Sequence, residues 1–283
     1  MRFTSIKINY MQQTLRLGLT GLFSLGLLFG FSRPAAADVE TSRQQYQNSL
    51  SEVKVSRQNY IDTRRKNPEN GDARTLTLIT TEGQNYLLKS INAMTSYVGF
   101  IRTYVESLPD LPESTRQGAF NLIDSNLTWY VERKQSIASL TGLQMARLES
   151  EAKEINTQWR LTTRHTHQVL ASILIYRMET RVQKLSELVA QIEQKYETEK
   201  DTLSELSRTY LDRTLAKLNR EITGINENIA LAKESFTEKA EADDLDKEAF
   251  DSTFDHLRNV EEDLSTSLTR VKSIVQSPTD DTN

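Results

Sequence analysis

The sequence predicts an all-α fold, an elongated antiparallel helical bundle with coiled-coil segments. The first observation is a ladder of apolar residues at alternating steps of four and three, comprising Leu211, Leu215, Leu218, Ile222, Ile225, Ile229, Ala232 and Phe236. A mean step of 3.5 keeps these residues on one side of a helix, where they can pack along a partner helix. The second is a proline-free stretch from Glu113 to Ser277, and the third is the low number of glycines, ten in 283 residues. Residues between the ladder positions, such as Glu221, are expected to face solvent.

The first 37 residues have the pattern of a cleaved secretory signal peptide. Residues 1–16 contain three basic side chains and no acidic ones, residues 17–32 contain no charge, and small residues follow at Ala35 and Ala37. A basic start, an apolar core and small residues before the cut are typical of such signals, so cleavage is expected after Ala37. An uncleaved membrane anchor is the alternative, but sixteen residues interrupted by four glycines fall short of the roughly 20 that span a bilayer.

The charge and composition of the mature chain restrict its partners. Residues 1–37 contain four basic and no acidic residues, so their removal changes the formal net charge from −4 to about −8. Nucleic acid is not an expected partner, because binding a polyanion requires clustered Lys and Arg, and here both signs alternate along every segment. The chain lacks cysteine, so disulfides cannot stabilise it. No later apolar run approaches transmembrane length, and the mature protein is expected to be soluble, with no stable membrane span.

Prolines and capping residues mark the first three of six predicted helices. Helix 1 is predicted from Val39 to Lys66, ahead of a turn-forming segment at 67–71. Asp72 is a predicted N-cap of helix 2, because its carboxylate can accept a hydrogen bond from an unpaired amide of the first turn. Helix 3 is predicted to start near Pro112, since proline suits the first turn of a helix. Its predicted buried stripe is Phe120, Ile123, Leu127, Tyr130 and Ile137.

Capping residues mark the predicted starts of the remaining three helices. Thr141 and Gln144 form one such box ahead of a helix 4 that reaches Lys200, although a continuous helix through Gly142 is also allowed. Thr202 and Glu205 form a second box ahead of helix 5. Asp246 is expected to cap helix 6, whose predicted buried residues are Phe250, Phe254, Leu257, Leu264, Leu268, Val271 and Val275.

The lengths of these helices predict two bundles that share helix 4. Residues 1–37 are the signal peptide, residues 38–177 form a four-helix bundle, residues 178–276 form a three-helix coiled coil, and residues 277–283 form a disordered tail. Helices 1, 2, 3 and the first half of helix 4 have similar lengths and short connections, as in an up-down-up-down bundle. A single elongated bundle is the alternative.

Neither of two candidate metal sites has convincing ligand spacing. His165 and His167 stand two residues apart, on different sides of a helix, and His256 is distant in sequence. A second candidate resembles a calcium-binding loop and consists of Asp244, Asp246, Glu248, Asp251 and Asp255. Ala249 occupies the position where that loop requires glycine, and acidic residues favour a helix N-terminus in any case. The sequence therefore predicts no metal and no cofactor.

Three other features have structural interpretations that are simpler than functional ones. Val169 to Tyr176 is the longest apolar run of the mature chain, and we expect it to be buried where the two bundles join, with membrane insertion as the alternative. Trp129, Trp159 and the tyrosines are expected to be core residues that could otherwise form a ligand cage. Asn126-Leu127-Thr128 is a glycosylation triplet only in a cell that uses that chemistry.

The sequence favours a non-enzymatic exported protein of the periplasm or extracellular space, acting as a scaffold, spacer or protein-binding protein of the cell envelope. We expect it to bind a protein partner or a second copy through its helical surfaces. A helical membrane-active, pore-forming-like protein is the alternative. No catalytic residue is assigned, because no nucleophile stands in a glycine-rich elbow or beside a motif histidine. An enzymatic site assembled between distant helices would escape a motif search.

Overall fold

The computed structural model describes residues 33–66, 72–140, 145–241 and 247–276, and almost all of them are helical. The described residues form six α-helices: α1 (Arg33–Lys66), α2 (Ala73–Glu106), α3 (Glu113–Ala138), α4 (Met145–Glu199), α5 (Glu205–Glu241) and α6 (Lys247–Gln276). A single turn of 3₁₀-helix, Lys200–Thr202, precedes α5. The described residues contain no β-strand, and the helices pack against one another, so the prediction of an all-α helical bundle is confirmed.

Several helix ends agree with the capping predictions and one does not. Asp72 is the N-cap of α2: its carboxylate accepts a hydrogen bond of 2.9 Å from the amide of Thr75, which lowers the pKa of Asp72. The predicted box at Thr202 and Glu205 is wrong, because Ser204 is the residue whose hydroxyl accepts from an amide of α5, that of Ser207 at 3.2 Å. The proposed caps at residues 141–144 and at Asp246 lie outside the described residues.

Two side chains hold the connections of the N-terminal helices. The guanidinium of Arg116 donates to the carbonyls of Leu108 and Leu111 at 2.9 and 3.3 Å, which ties the segment before α3 to its first turns. The amide of Gln84 in α2 donates to the carbonyl of Ile137 at 2.7 Å, at the C-terminal end of α3. These bonds satisfy carbonyl groups at helix ends that lack helical partners.

The chain divides into two compact units between Thr166 and His167, inside α4. The boundary expected from the sequence lies between residues 177 and 178, eleven residues further along the same helix. Unit 1 contains α1, α2, α3 and the first part of α4. In it α2 packs against both α1 and α3. Gly83 in α2 marks a close approach, since an added Cβ would lie 2.6 Å from Leu148 of α4 and 3.2 Å from Tyr60 of α1.

Unit 2 contains the second part of α4 with α5 and α6. Polar pairs show that α5 runs antiparallel to α4: Glu179 contacts Lys233, Glu193 accepts from Asn219 at 2.6 Å, and the Tyr196 hydroxyl donates to Asp212 at 2.8 Å. The ladder that predicted this helix is confirmed at its centre, where Leu215, Leu218, Ile222, Ile225, Ile229 and Ala232 are buried.

Two expectations about which side chains of unit 2 face solvent are wrong. Glu221 does not simply face solvent, because its carboxylate accepts from Ser267 and Arg270 of α6, both at 3.0 Å. Leu268 of α6 is 47 % exposed, and Ser267 is buried in its place. A buried serine is tolerated at this position because the Glu221 carboxylate satisfies its hydroxyl.

The longest apolar run is buried in most of its length. Val169, Leu170, Ala171, Ile173, Leu174 and Ile175 are all buried. Within the described parts of the chain, no helix is both long enough and apolar enough to cross a membrane.

Candidate functional site

The core of unit 1 contains a layer of aromatic side chains to which all four of its helices contribute. Tyr46 of α1 packs on Tyr97 of α2 with ring centroids 5.2 Å apart, and Tyr97 meets the edge of Trp159 of α4 at 5.5 Å. Tyr130 of α3 completes the layer, and all four rings are fully or almost fully buried. Bundle cores in which facing helices meet are a common place for ligand sites, so this layer is the first candidate.

Asn126 of α3 is the centre of a buried hydrogen-bond network next to these rings. Its Oδ1 accepts from the Thr162 hydroxyl at 2.8 Å and from Gln158 Nε2 at 2.9 Å. Its Nδ2 donates to the carbonyl of Leu122 at 2.6 Å and lies 3.0 Å from His165 Nδ1. The Tyr130 hydroxyl is 2.7 Å from that of Thr162 and joins the network to the aromatic layer.

These contacts determine the orientation of the Asn126 amide. A reversed amide would place oxygen against the Leu122 carbonyl and nitrogen against the Gln158 nitrogen, and both contacts would be repulsive. Asn126 Nδ2 therefore faces His165, whose Nδ1 atom accepts the hydrogen bond. In this arrangement His165 fixes the packing of α3 on α4.

The buried tyrosines of this layer stay protonated at neutral pH. Burial raises the pKa of Tyr46, Tyr97 and Tyr130 far above the ordinary value, because a phenolate loses its hydration in the core. None of these hydroxyls is poised to lose a proton near pH 7. The Tyr46 hydroxyl and Trp159 Nε1 are buried without a hydrogen-bond partner among the described protein atoms.

A second buried polar cluster joins α3 to α4 with charges. Glu151 is only 5 % exposed, and its carboxylate accepts from Arg133 at 3.1 Å and from Ser136 at 3.0 Å. Arg133 also pairs with Glu154 at 2.6 Å and lies over the ring of Trp129, 5.0 Å from its centroid. Because every charge in the cluster has a partner, it serves to hold two helices together.

The structure does not assemble the candidate metal ligands. His165 belongs to unit 1, whereas His167 and His256 belong to unit 2. Among the described residues, no three His, Cys, Asp or Glu side chains are grouped as metal ligands. Of the calcium-like acids, Asp244 and Asp246 and the side chains of Glu248 and Asp251 lie outside the described residues. The remaining one, Asp255, pairs with Arg258 at 3.0 Å.

Two other candidates also have structural roles. Trp159 is a core residue, as expected, while Trp129 is partly exposed beneath Arg133. Asn126 is 2 % exposed and its Nδ2 is already engaged, so the glycosylation triplet is not accessible in the folded chain. The predicted stripe of α3 is wrong at two of its five positions, because Asn126 and Ala119 are buried where Leu127 and Phe120 were expected.

Sequence reasoning missed an exposed apolar pair on unit 2. Arg181 of α4 lies 3.5 Å from Glu261 of α6. Since α5 runs antiparallel to α4 and packs against α6 after a connection of five residues, we infer that α4 and α6 run parallel. Leu188 and Leu268 are each seven residues beyond the ion pair, so a parallel register places them at corresponding positions about 10.5 Å further along the helices. Both are large apolar side chains that remain roughly half exposed. A heptad count that tracked flanking positions as well as the buried stripe would have found them.

A groove lies along another interface of unit 2, between α4 and α5. It has a volume of about 390 Å³ and an apolar floor of Val182 and Ile229. Ser186, Asn226 and Ala230 border it, and the Glu179–Lys233 ion pair closes one end.

No protein-family model, curated protein or solved structure matches this chain.

Proposed function

We propose that the protein is a non-enzymatic, exported helical protein of the cell envelope that acts as a scaffold or spacer and binds other protein through its helical surfaces. The observation that carries this proposal is the set of large apolar side chains exposed on the helices of unit 2: Leu188, Leu206, Tyr210, Leu231 and Leu268. Leu206 and Tyr210 are four residues apart and so share one side of α5, and exposed apolar side chains that share a surface are typical of sites where another molecule binds.

The chemistry of the buried layers supports a structural purpose for unit 1. The Asn126 network and the Arg133–Glu151 cluster use their polar groups to join helices. Such layers specify which helices pair and in which register. Function is therefore assigned to the outer faces of the helices.

Site-specific photo-cross-linking in the native envelope tests this proposal. A photoreactive side chain is placed at Leu206, which is 82 % exposed, and in separate proteins at Leu188 and Leu268. We expect at least one apolar position to yield a discrete cross-linked protein, and we expect a reactive side chain at the exposed, polar Arg208 to yield less of it. Absence of any discrete product from all apolar positions would contradict the proposal.

The export part of the proposal has its own measurement. N-terminal sequencing of the protein purified from its cell should begin at Asp38, and the protein should fractionate outside the cytoplasm. An intact chain that starts at Met1 and is recovered in membranes would overturn export with cleavage.

The membrane-active alternative depends on the segment from Val169 to Tyr176. Six of its eight residues are buried, so insertion would require this part of unit 2 to leave its core. Release of dye from lipid vesicles at low protein concentration would favour that alternative over the scaffold.

A further inference from the structure

Unit 2 has two surfaces of opposite charge, and the first has exposed leucines at its centre. We name the first the basic leucine face; it comprises Leu188, Leu268, Lys184, Lys195 and Lys272. Lys184 and Lys195 lie four residues before and seven residues after Leu188 on α4, and Lys272 lies four residues after Leu268 on α6. Residues at these spacings share one side of a helix. The three lysines are exposed, and none has an ion-pair partner among the described residues.

The second surface, named here the acidic groove, is the groove between α4 and α5 together with the acids beside it. Glu227 and Glu234 lie three residues before and four residues after Ala230, which borders the groove on α5. Glu187 lies four residues after Gln183, which borders it on α4 and donates to the Glu187 carboxylate at 3.0 Å. The three glutamates are exposed and lack an ion-pair partner in the described part of the chain.

From this complementarity we propose that the occupant of the basic leucine face is a second copy of this chain, bound through its acidic groove. The inference rests on the proposed function and names the partner of its exposed surface. Leu188 and Leu268 would enter the groove beside the exposed Ala230, while three lysines face three glutamates. Like charges disfavour contact of the face with itself, so the contact is heterologous and each copy can bind two neighbours.

Charge-reversal variants test the contact. The face variant carries Lys184→Glu, Lys195→Glu and Lys272→Glu. The groove variant carries Glu187→Lys, Glu227→Lys and Glu234→Lys. A control with the same charge change as the face variant carries Arg208→Glu, Arg213→Glu and Lys217→Glu, which are exposed positions of α5 outside both surfaces. Circular dichroism of each protein confirms that the fold is retained.

Sedimentation velocity over a range of concentrations at low salt measures self-association. We expect the purified wild-type protein to form species heavier than a monomer, and we expect added salt to dissociate them because screening weakens the charge pairs. The face and groove variants should each associate roughly tenfold more weakly or not at all, whereas the control should resemble the wild type. An equimolar mixture of the two variants should recover association, since each reversed surface then meets its complement.

Three outcomes would overturn the inference: a wild-type protein that is monomeric at every concentration and salt level, a control that weakens association as much as the face variant, or a mixture that fails to recover it. A monomeric protein that still cross-links to a different protein in the envelope would leave the proposed function intact while removing the second copy as the partner. Binding of the wild-type protein, but not the face variant, to anionic vesicles without self-association would replace the second copy by a lipid surface.

Discussion

Replacing Asn126 by alanine tests whether the buried polar network stabilises unit 1. The change removes four hydrogen-bond contacts, and their losses differ in energetic cost. Gln158 and His165 are partly exposed and can bond to water instead, and the Leu122 carbonyl also has a partner within its helix. The fully buried hydroxyl of Thr162 loses a partner, and a small cavity forms. The buried hydrogen bond is worth about 1 to 1.5 kcal/mol and the cavity costs a similar amount, so we expect the free energy of unfolding to fall by roughly 2 to 3 kcal/mol.

The measurement is the free energy of unfolding from urea denaturation, followed by circular dichroism. Asn121→Ala is the matched control, since Asn121 lies on the same helix and is exposed. That control should change the stability by less than about 0.5 kcal/mol. Equal losses for the two variants would refute the reasoning, because they would show that the network contributes no more than an exposed asparagine.

Three further predictions follow from burial and close approach. Ile222→Asp should lower the free energy of unfolding by more than about 3 kcal/mol because it buries an unpaired carboxylate, while the exposed Arg220→Gln should have little effect in the same denaturation assay. Gly83→Ala should destabilise the protein by about 1 kcal/mol or more through overpacking. Gly118→Ala, with open space around its Cβ, should raise the melting temperature slightly. A Gly83→Ala protein that is more stable than the Gly118→Ala protein would refute the close approach. The free energy of unfolding should be unchanged up to about pH 10 and fall at higher pH, because the unfolded chain then ionises tyrosines that the fold keeps protonated. Tyr130→Phe should make this fall less steep in denaturation experiments from about pH 8 to 11.

Helix existence was predictable because it depends on short-range features of the chain. The apolar ladder of α5 and the cap at Asp72 both arise from neighbours within a few residues, and both agree with the structure. The cap at Thr202 was wrong because serine at position 204 competes for the same role two residues later. Local chemistry allows either cap, and the 3₁₀ turn before α5 decides between them.

The candidate surfaces were less predictable because they combine residues from different helices. Lys184, Lys195 and Lys272 alternate with acidic residues along the chain, so the sequence indicated mixed charge with no patch. The register inferred for α4 and α6 places Leu188 and Leu268 at corresponding positions. Antiparallel packing of α4 and α5 brings Gln183 and Ala230 to the borders of one groove, and Glu187 and Glu227 are neighbours of these two residues on their own helices. The charge pattern of a surface is therefore a property of helix register.

Periodicity and capping act within one helix, so the sequence alone was enough to predict an all-α protein whose ladder residues form a core. The burial of Asn126 and the exposure of Leu268 depend instead on how the helices pack. In both cases a contact from another helix reverses the expectation from hydrophobicity: Thr162 and Gln158 satisfy the asparagine, and Glu221 satisfies Ser267 so that the leucine beside it turns outward. A polar side chain enters a core when its hydrogen bonds are supplied there, and that supply depends on residues distant in sequence.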